Sequence, residues 1–236
     1  MAKATKGILS TNALKLIAMA AMVIDHASVI FLGPTSNIFR AIGRISFPIF
    51  AFLIAEGAVH TKNKAKYALR LLLFAFLSEI PFDIALQGKY LEFSKQNVFF
   101  TLFLGLISIY FLDFFRKKNV GFLGIFTTFG LSFLAAYISS NFGFMGVVVI
   151  TLMYMFAGVK TDARYVGFAL AGLVTCFVYV YPANIALASS QIYASLVFIP
   201  LALYNGKKGR KMNKYFFYLF YPAHLLILYL VKTFIV

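Results

Sequence analysis

One cysteine, no tryptophan and seven acidic residues stand in a chain of 236. The lone thiol, Cys176, excludes a disulfide within the chain. It lies in an apolar run, where an unpaired cysteine behaves as a small hydrophobe. Without tryptophan, any aromatic belt at a membrane interface falls to tyrosine, as in Tyr215, Tyr218 and Tyr221. There is no internal repeat of the kind that marks many transporters. There is no low-complexity tract and no glycine-rich phosphate loop. Charge is scarce: 12% of residues are charged and 62% are hydrophobic, against roughly 25% and 45–50% in a soluble domain. That balance excludes a soluble globular protein and specifies an integral membrane one.

Lysine and arginine outnumber acids 22 to 7, giving a net charge of +15. The basic residues sit in short segments between apolar runs, and no aromatic–basic platform offers bases a place to stack. The charge therefore reads as topology and attraction to anionic lipid, not as nucleic-acid binding.

A span needs about 20 apolar residues. The candidates are 12–32, 42–59, 67–86, 97–115, 120–138, 143–158, 164–182, 190–205 and 214–235. They predict an all-α integral membrane protein, a polytopic bundle of about nine transmembrane helices forming one domain over 1–236. Ser10, Thr11 and Asn12 offer an N-cap for the first helix. That run is too long for a signal peptide and lacks a clear small-x-small cleavage site, so it reads as a retained helix. With the N-terminus cytoplasmic, the inner segments collect most of the cations, from Lys3, Lys6 and Lys15 to Lys214. The protein belongs in the cell membrane as a multi-pass chain.

The few acids are placed where they are least expected. Asp25 and His26 interrupt KLIAMAAMVIDHASVIFL, and an ionised side chain at the bilayer centre costs at least about 2.5–3.5 kcal/mol. Arg40 and Arg44 are four residues apart on one helical face near the outer surface. Glu79 and Asp83, also four apart, fall in the outer half of the third span, and Asn97 and Thr101 open the fourth. His224 lies near mid-depth in the last. Five helices thus bring polar groups to the middle and outer half, which specifies a site. Pro48, Pro81 and Pro222 each free a helix carbonyl, as backbone lining a cavity tolerates. Lys15 and His26 are eleven residues apart, close to three turns and about 16 Å along one face. Such a face can hold a long anion, its phosphates at the inner edge and its reactive end further in.

Glu56 and His60, near the inner end of the second span, read as structural. Asp113 beside Arg116 reads as an ion pair. His26, His224 and a carboxylate have the atoms of a metal site, but no ligand spacing supports one, and none is expected.

LKLIAMAAMVIDH, RAIGRISFPIFAFLIAEG, SEIPFD, QNVFFTLFLGL and FYLFYPAHL, in that order, resemble the TraX family across nearly the whole chain. The family takes its name from a pilin N-acetyltransferase of conjugative plasmids and is grouped with the wider membrane acyltransferases. One family there carries Arg or Lys, ten residues, then His in its first span, as Lys15 and His26 do. Its Arg-x-x-Arg element is one residue narrower than Arg40 and Arg44, and no role is carried over for that pair.

The resemblance implies acetyl-CoA as acyl donor and an acceptor at or across the membrane: a pilin-like peptide, a glycan or a lipid. In that reading His26 is the general base. Asp25, Glu79 and Asp83 are the carboxylates that serve or orient it. Arg40, Arg44, Asn97, Thr101 and His224 are candidates for acceptor or oxyanion contacts. Lys15, Lys62, Lys64 and Lys66 are candidates for the CoA phosphates. No serine or cysteine sits in a nucleophile setting, so transfer is direct. A proton-coupled transporter using the same buried groups is the alternative, and a membrane scaffold for a pilus or secretion machine is a third reading.

Overall fold

The computed structural model describes residues 7–33, 38–157 and 192–235. The expected span 164–182, the start of 190–205, Cys176 and Asp162 lie outside the described residues.

The first helix, α1, runs Thr11–Ala27, and the Ser10 hydroxyl caps it by accepting from the Ala13 amide at 3.2 Å. Leu14, Ala18, Met22 and His26 are its buried stripe, at the four-residue step that keeps side chains on one face. The helix then widens into a π turn over Ser28–Leu32. Helices α2 (Ile38–Gly43) and α3 (Ser46–His60) divide the expected second span at Arg44–Ile45. Pro48 explains the break: it has no amide for the Arg44 carbonyl, and it sits in the first turn of α3, where a missing donor is harmless. Helix α4 (Lys64–Phe82) contains Pro81 and also ends in a π turn, Asp83–Gln87.

Helix α5 (Val98–Lys117), α6 (Gly121–Tyr137) and α7 (Gly143–Ala157) pack together. Their contact uses small and hydroxyl side chains. A Cβ on Gly105 would stand 2.4 Å from Ile150 Cδ1, so only glycine lets α5 and α7 approach this closely. The Ser108 hydroxyl donates to Thr128 at 2.8 Å and also pairs with Thr151 at 2.9 Å. A 3-10 turn, Ile192–Val197, leads into the short α8 (Phe198–Ala202), and α9 (Lys214–Phe234) closes the described chain with Pro222 inside it.

Among the described residues, four stretches are long and apolar enough to cross a membrane: Thr11–Leu32, Ile38–His60, Val98–Lys117 and Lys214–Phe234. The protein is a multi-pass membrane protein on that ground. Nine full spans are not shown. Helices α6 and α7 have 17 and 15 residues, short of the ~20 needed to cross the hydrocarbon core. Helix α4 carries Arg70 and Glu79 along its run, and Asp83 opens the π turn that follows.

The N-terminal strap is clasped to the segment before α9. The Leu9 amide donates to the Leu203 carbonyl at 2.8 Å, and the Asn205 amide returns a bond to Leu9 at 2.9 Å. The Thr11 amide donates to Lys207 at 2.8 Å, and the Asn12 side chain to the Arg210 carbonyl at 2.6 Å. The first and last described helices therefore start at the same end of the bundle and run side by side.

Candidate functional site

A cavity of about 1150 Å³ follows α1 and α9 through the bundle. Thr11, Lys15, Arg70, Lys208 and Lys214 line it at the end where α1 begins, and Asp25, Arg40, Arg44 and Lys95 line the other end. His26 lines it between them, while His224 stands behind His26 and does not.

The two histidines meet directly: His26 Nδ1 and His224 Nε2 are 2.8 Å apart. The next bond fixes their tautomers. His224 Nδ1 is 2.9 Å from the Phe220 carbonyl oxygen, which can only accept, so this nitrogen carries a proton. In the neutral ring Nε2 is then the acceptor, and the proton between the rings belongs to His26 Nδ1. His26 Nε2 is left as a bare lone pair, and no described hydrogen bond uses it. Tyr221 packs edge-on against His26, ring centroids 6.1 Å apart. It is 3% exposed, so this residue is core and not a belt at the membrane interface.

Asp25 takes no part in orienting His26. Its carboxylate accepts from Arg40 Nη1 at 2.9 Å and Arg44 Nη2 at 3.1 Å, while Arg44 Nε donates back to the Arg40 carbonyl at 3.3 Å. Neighbours one place apart on a helix point about 100° apart, and Asp25 uses that divergence to face α2 while His26 faces α9. Gly43 permits the approach, because a Cβ there would stand 2.3 Å from the Asp25 Cβ. Arg40 and Arg44 thus share a face, but their acid is Asp25 rather than Glu79 or Asp83. Partial desolvation at this mouth, then Arg40 and Arg44, hold the Lys95 ammonium below its ordinary value.

Glu79 and Asp83 lie off the cavity. Glu79 accepts from the Asn97 amide at 2.6 Å, and Asp83 accepts from Gln87 at 3.2 Å and the Glu92 amide at 2.8 Å. Neither bonds a histidine. Asn97 is the N-cap of α5, with its Oδ1 accepting from Phe99 at 3.0 Å and its amide also reaching the Ala75 carbonyl at 2.7 Å. Thr101 donates to Ser140 at 3.0 Å and to the Asn141 carbonyl. These four residues hold α4, α5 and the loop before α7 in place around the cavity.

The lysines expected at the CoA phosphates divide. Lys15 lines the cavity, its ammonium 4.4 Å from the centroid of Phe217. Lys62 and Lys66 are exposed, and Lys64 pairs with Asp113 at 3.3 Å, so none of the three lines the cavity. Asp113 also accepts from Tyr154 and does not pair with Arg116. The cations that join Lys15 are Arg70, Lys208 and Lys214. Sequence position gave no sign of this, since Lys208 and Lys214 enter a long basic segment whose members look alike. Glu56 accepts from Tyr204 at 3.1 Å, stands 3.6 Å from His60, and lines the cavity with it. Among the described residues no three His, Cys, Asp or Glu side chains gather around one point.

The chemistry this arrangement allows is proton transfer at one oriented nitrogen, in a cavity cationic at both ends. Comparisons with known proteins agree in one direction. Residues 10–232 match the family described as "TraX protein". A protein of Dichelobacter nodosus named "Probable fimbrial assembly protein FimC, serogroup H1" is 31% identical over 237 residues, covering 94% of this chain and 95% of its own. "Uncharacterized protein RP591" of Rickettsia prowazekii (strain Madrid E) is 31% identical over 98 residues, 42% of this chain and 36% of its own. No solved structure matches. A match spanning α1 to α9, with a relative aligned over nearly its whole length, leaves one assignment: the chain belongs to the TraX family.

Proposed function

We propose that this protein is a membrane-embedded acyltransferase that moves an acetyl group from cytoplasmic acetyl-CoA to an amine or hydroxyl of an extracytoplasmic acceptor. The observation that carries the reading is the bare His26 Nε2 inside the cavity, oriented by His224 and the Phe220 carbonyl. Family membership and the fimbrial relative support a pilin-like acceptor, with its N-terminal amine as the nucleophile.

In the reaction His26 Nε2 accepts the proton of the acceptor amine as nitrogen attacks the thioester carbonyl carbon. The tetrahedral intermediate collapses, the C–S bond breaks, and the proton passes to the CoA thiolate. No acyl-enzyme forms. The imidazolium made on the way keeps its Nδ1–H donated to His224 Nε2, a charge-assisted bond stronger than its neutral form. The donor enters from the end that holds Lys15, Lys208 and Lys214. Lys15 and His26 are about 16 Å apart along α1, room for an extended pantetheine arm. The acceptor approaches past Arg40, Arg44 and Lys95.

The test is thermal unfolding of detergent-purified protein with acetyl-CoA, CoA or ATP, followed by release of free CoA thiol with a pilin N-terminal peptide. Ligand at about 100 times its dissociation constant stabilises by roughly 2.7 kcal/mol. Stabilisation by acetyl-CoA but not ATP, weakened in Lys15→Ala, with thiol release abolished in His26→Ala, supports the reading. No shift with either CoA ligand sinks it. One observation favours proton-coupled transport instead: the cavity is lined at both ends of the bundle. Proteoliposome uptake that collapses with the pH gradient decides for that alternative.

A further inference from the structure

The inner end of the cavity holds four cations, Lys15, Arg70, Lys208 and Lys214, and among the described residues none of them is paired with a carboxylate. Glu56, the acid at this end, is engaged by Tyr204 and His60. Lys15 and Lys208 lie near enough to repel one another. Folding does not gather uncompensated like charges without a reason, because each gains a repulsive neighbour, and the half-buried Lys15 and Arg70 also lose solvation.

Arg70 is the most constrained of the four. It stands six residues into α4, about 9 Å beyond the start of that helix. Its neighbours are phenols: the guanidinium carbon is 5.8 Å from the Tyr67 ring centroid, and Tyr110 and Tyr218 also feel its charge. Its Nε is buried with no hydrogen-bond partner. A planar fork with an unused donor, facing a cavity and walled by neutral rings, suits a phosphate oxygen better than water. Along α9, Lys214, Phe217, Tyr218 and Tyr221 line the cavity in turn. Arg70, beside Tyr218, therefore lies between the mouth lysines and His26.

Resting on the acyl-CoA reading, we propose that Arg70 binds the innermost phosphate of the donor, the one joined to the pantetheine arm, while Lys208 and Lys214 meet the outer phosphates. Ligand length is then measured in two steps along the cavity, and Arg70 sets where the thioester stops.

The experiment uses the full chain in detergent, with S-acetylpantetheine, S-acetyl-4′-phosphopantetheine and acetyl-CoA as probes, binding being read by calorimetry. Wild type binds S-acetyl-4′-phosphopantetheine about 10- to 100-fold more tightly than S-acetylpantetheine, the step a charge-assisted bidentate contact supplies. Arg70→Gln erases that step and leaves S-acetylpantetheine binding unchanged, while Arg70→Lys keeps part of it. Lys66→Gln, exposed and off the cavity, changes nothing. Arg70→Gln weakening all three probes equally assigns Arg70 to packing and overturns the proposal, as does unchanged binding of all three. Inorganic pyrophosphate separates the two levels of failure. If it stabilises wild type and not Arg70→Gln while no acyl probe binds, the anion seat stands and the acyl-CoA reading falls.

Discussion

Removing His224 tests the chemistry with the least disturbance to the fold. His224 does not itself line the cavity, and its task in the proposed mechanism is to accept the proton on His26 Nδ1 across 2.8 Å. A hydrogen bond to a charged group contributes about 1.5–3 kcal/mol, and here that charge exists only after His26 has taken a proton. His224→Phe keeps the stack on Phe220, whose ring lies 5.2 Å away at 11°, and deletes the acceptor. At about 1.4 kcal/mol per tenfold, transfer slows about 10- to 150-fold while acetyl-CoA affinity is unchanged. His224→Gln offers an amide oxygen to the same proton and recovers part of the rate. The assay is CoA thiol release under saturating donor, beside thermal unfolding of each variant. The two rings act as one unit, so His26→Ala with His224→Phe is no slower than His26→Ala alone. Full activity in His224→Phe refutes the relay. So does a His224→Gln that is folded yet as slow as His224→Phe.

The remaining predictions concern the scaffold and the mouths. Asp25→Asn leaves Arg40 and Arg44 facing each other without an anion, and thermal unfolding should report a loss of about 3 kcal/mol. Gly43→Ala pushes α2 off Asp25, a clash expected to cost about 1–3 kcal/mol in the same measurement. Asn97→Ala removes the α5 cap and leaves Glu79 without its amide donor, for about 2 kcal/mol. Lys15→Gln raises KM for acetyl-CoA, whereas Lys62→Gln and Lys66→Gln leave it unchanged, because the last two side chains are exposed and off the cavity; equal effects from all three would place the phosphates elsewhere.

The bundle was legible because a helix in lipid must be apolar, and exceptions therefore stand out. Asp25 and His26 announced a cavity by interrupting such a run, and the three-turn spacing from Lys15 placed both on its wall. The Arg40–Arg44 face was legible for the same reason, but its partner was not. Sequence spacing gives the face of a helix and says nothing about which neighbour that face meets. Glu79, Asp83, Asn97 and Thr101 share the depth of the site yet serve the joints between helices. Composition does not distinguish a hydrogen bond that supports a wall from one that faces the ligand. Arg70 was hidden among loop charges, and only its phenol surroundings mark it out. The π turns at Ser28–Leu32 and Asp83–Gln87 depend on packing that no local pattern encodes.

The clasp between Leu9 and Asn205 has a consequence for how the protein is made. The two paired histidines, His26 and His224, are 198 residues apart, and the strap that aligns their helices also joins the N-terminal segment to the last quarter of the chain. A nascent chain that has inserted α1 through α8 holds His26 without its partner. Only when α9 leaves the ribosome does the imidazole gain a fixed tautomer and the cavity a wall. The order of synthesis thus makes the histidine pair the last part of the site to be completed, and a product truncated before α9 lacks it.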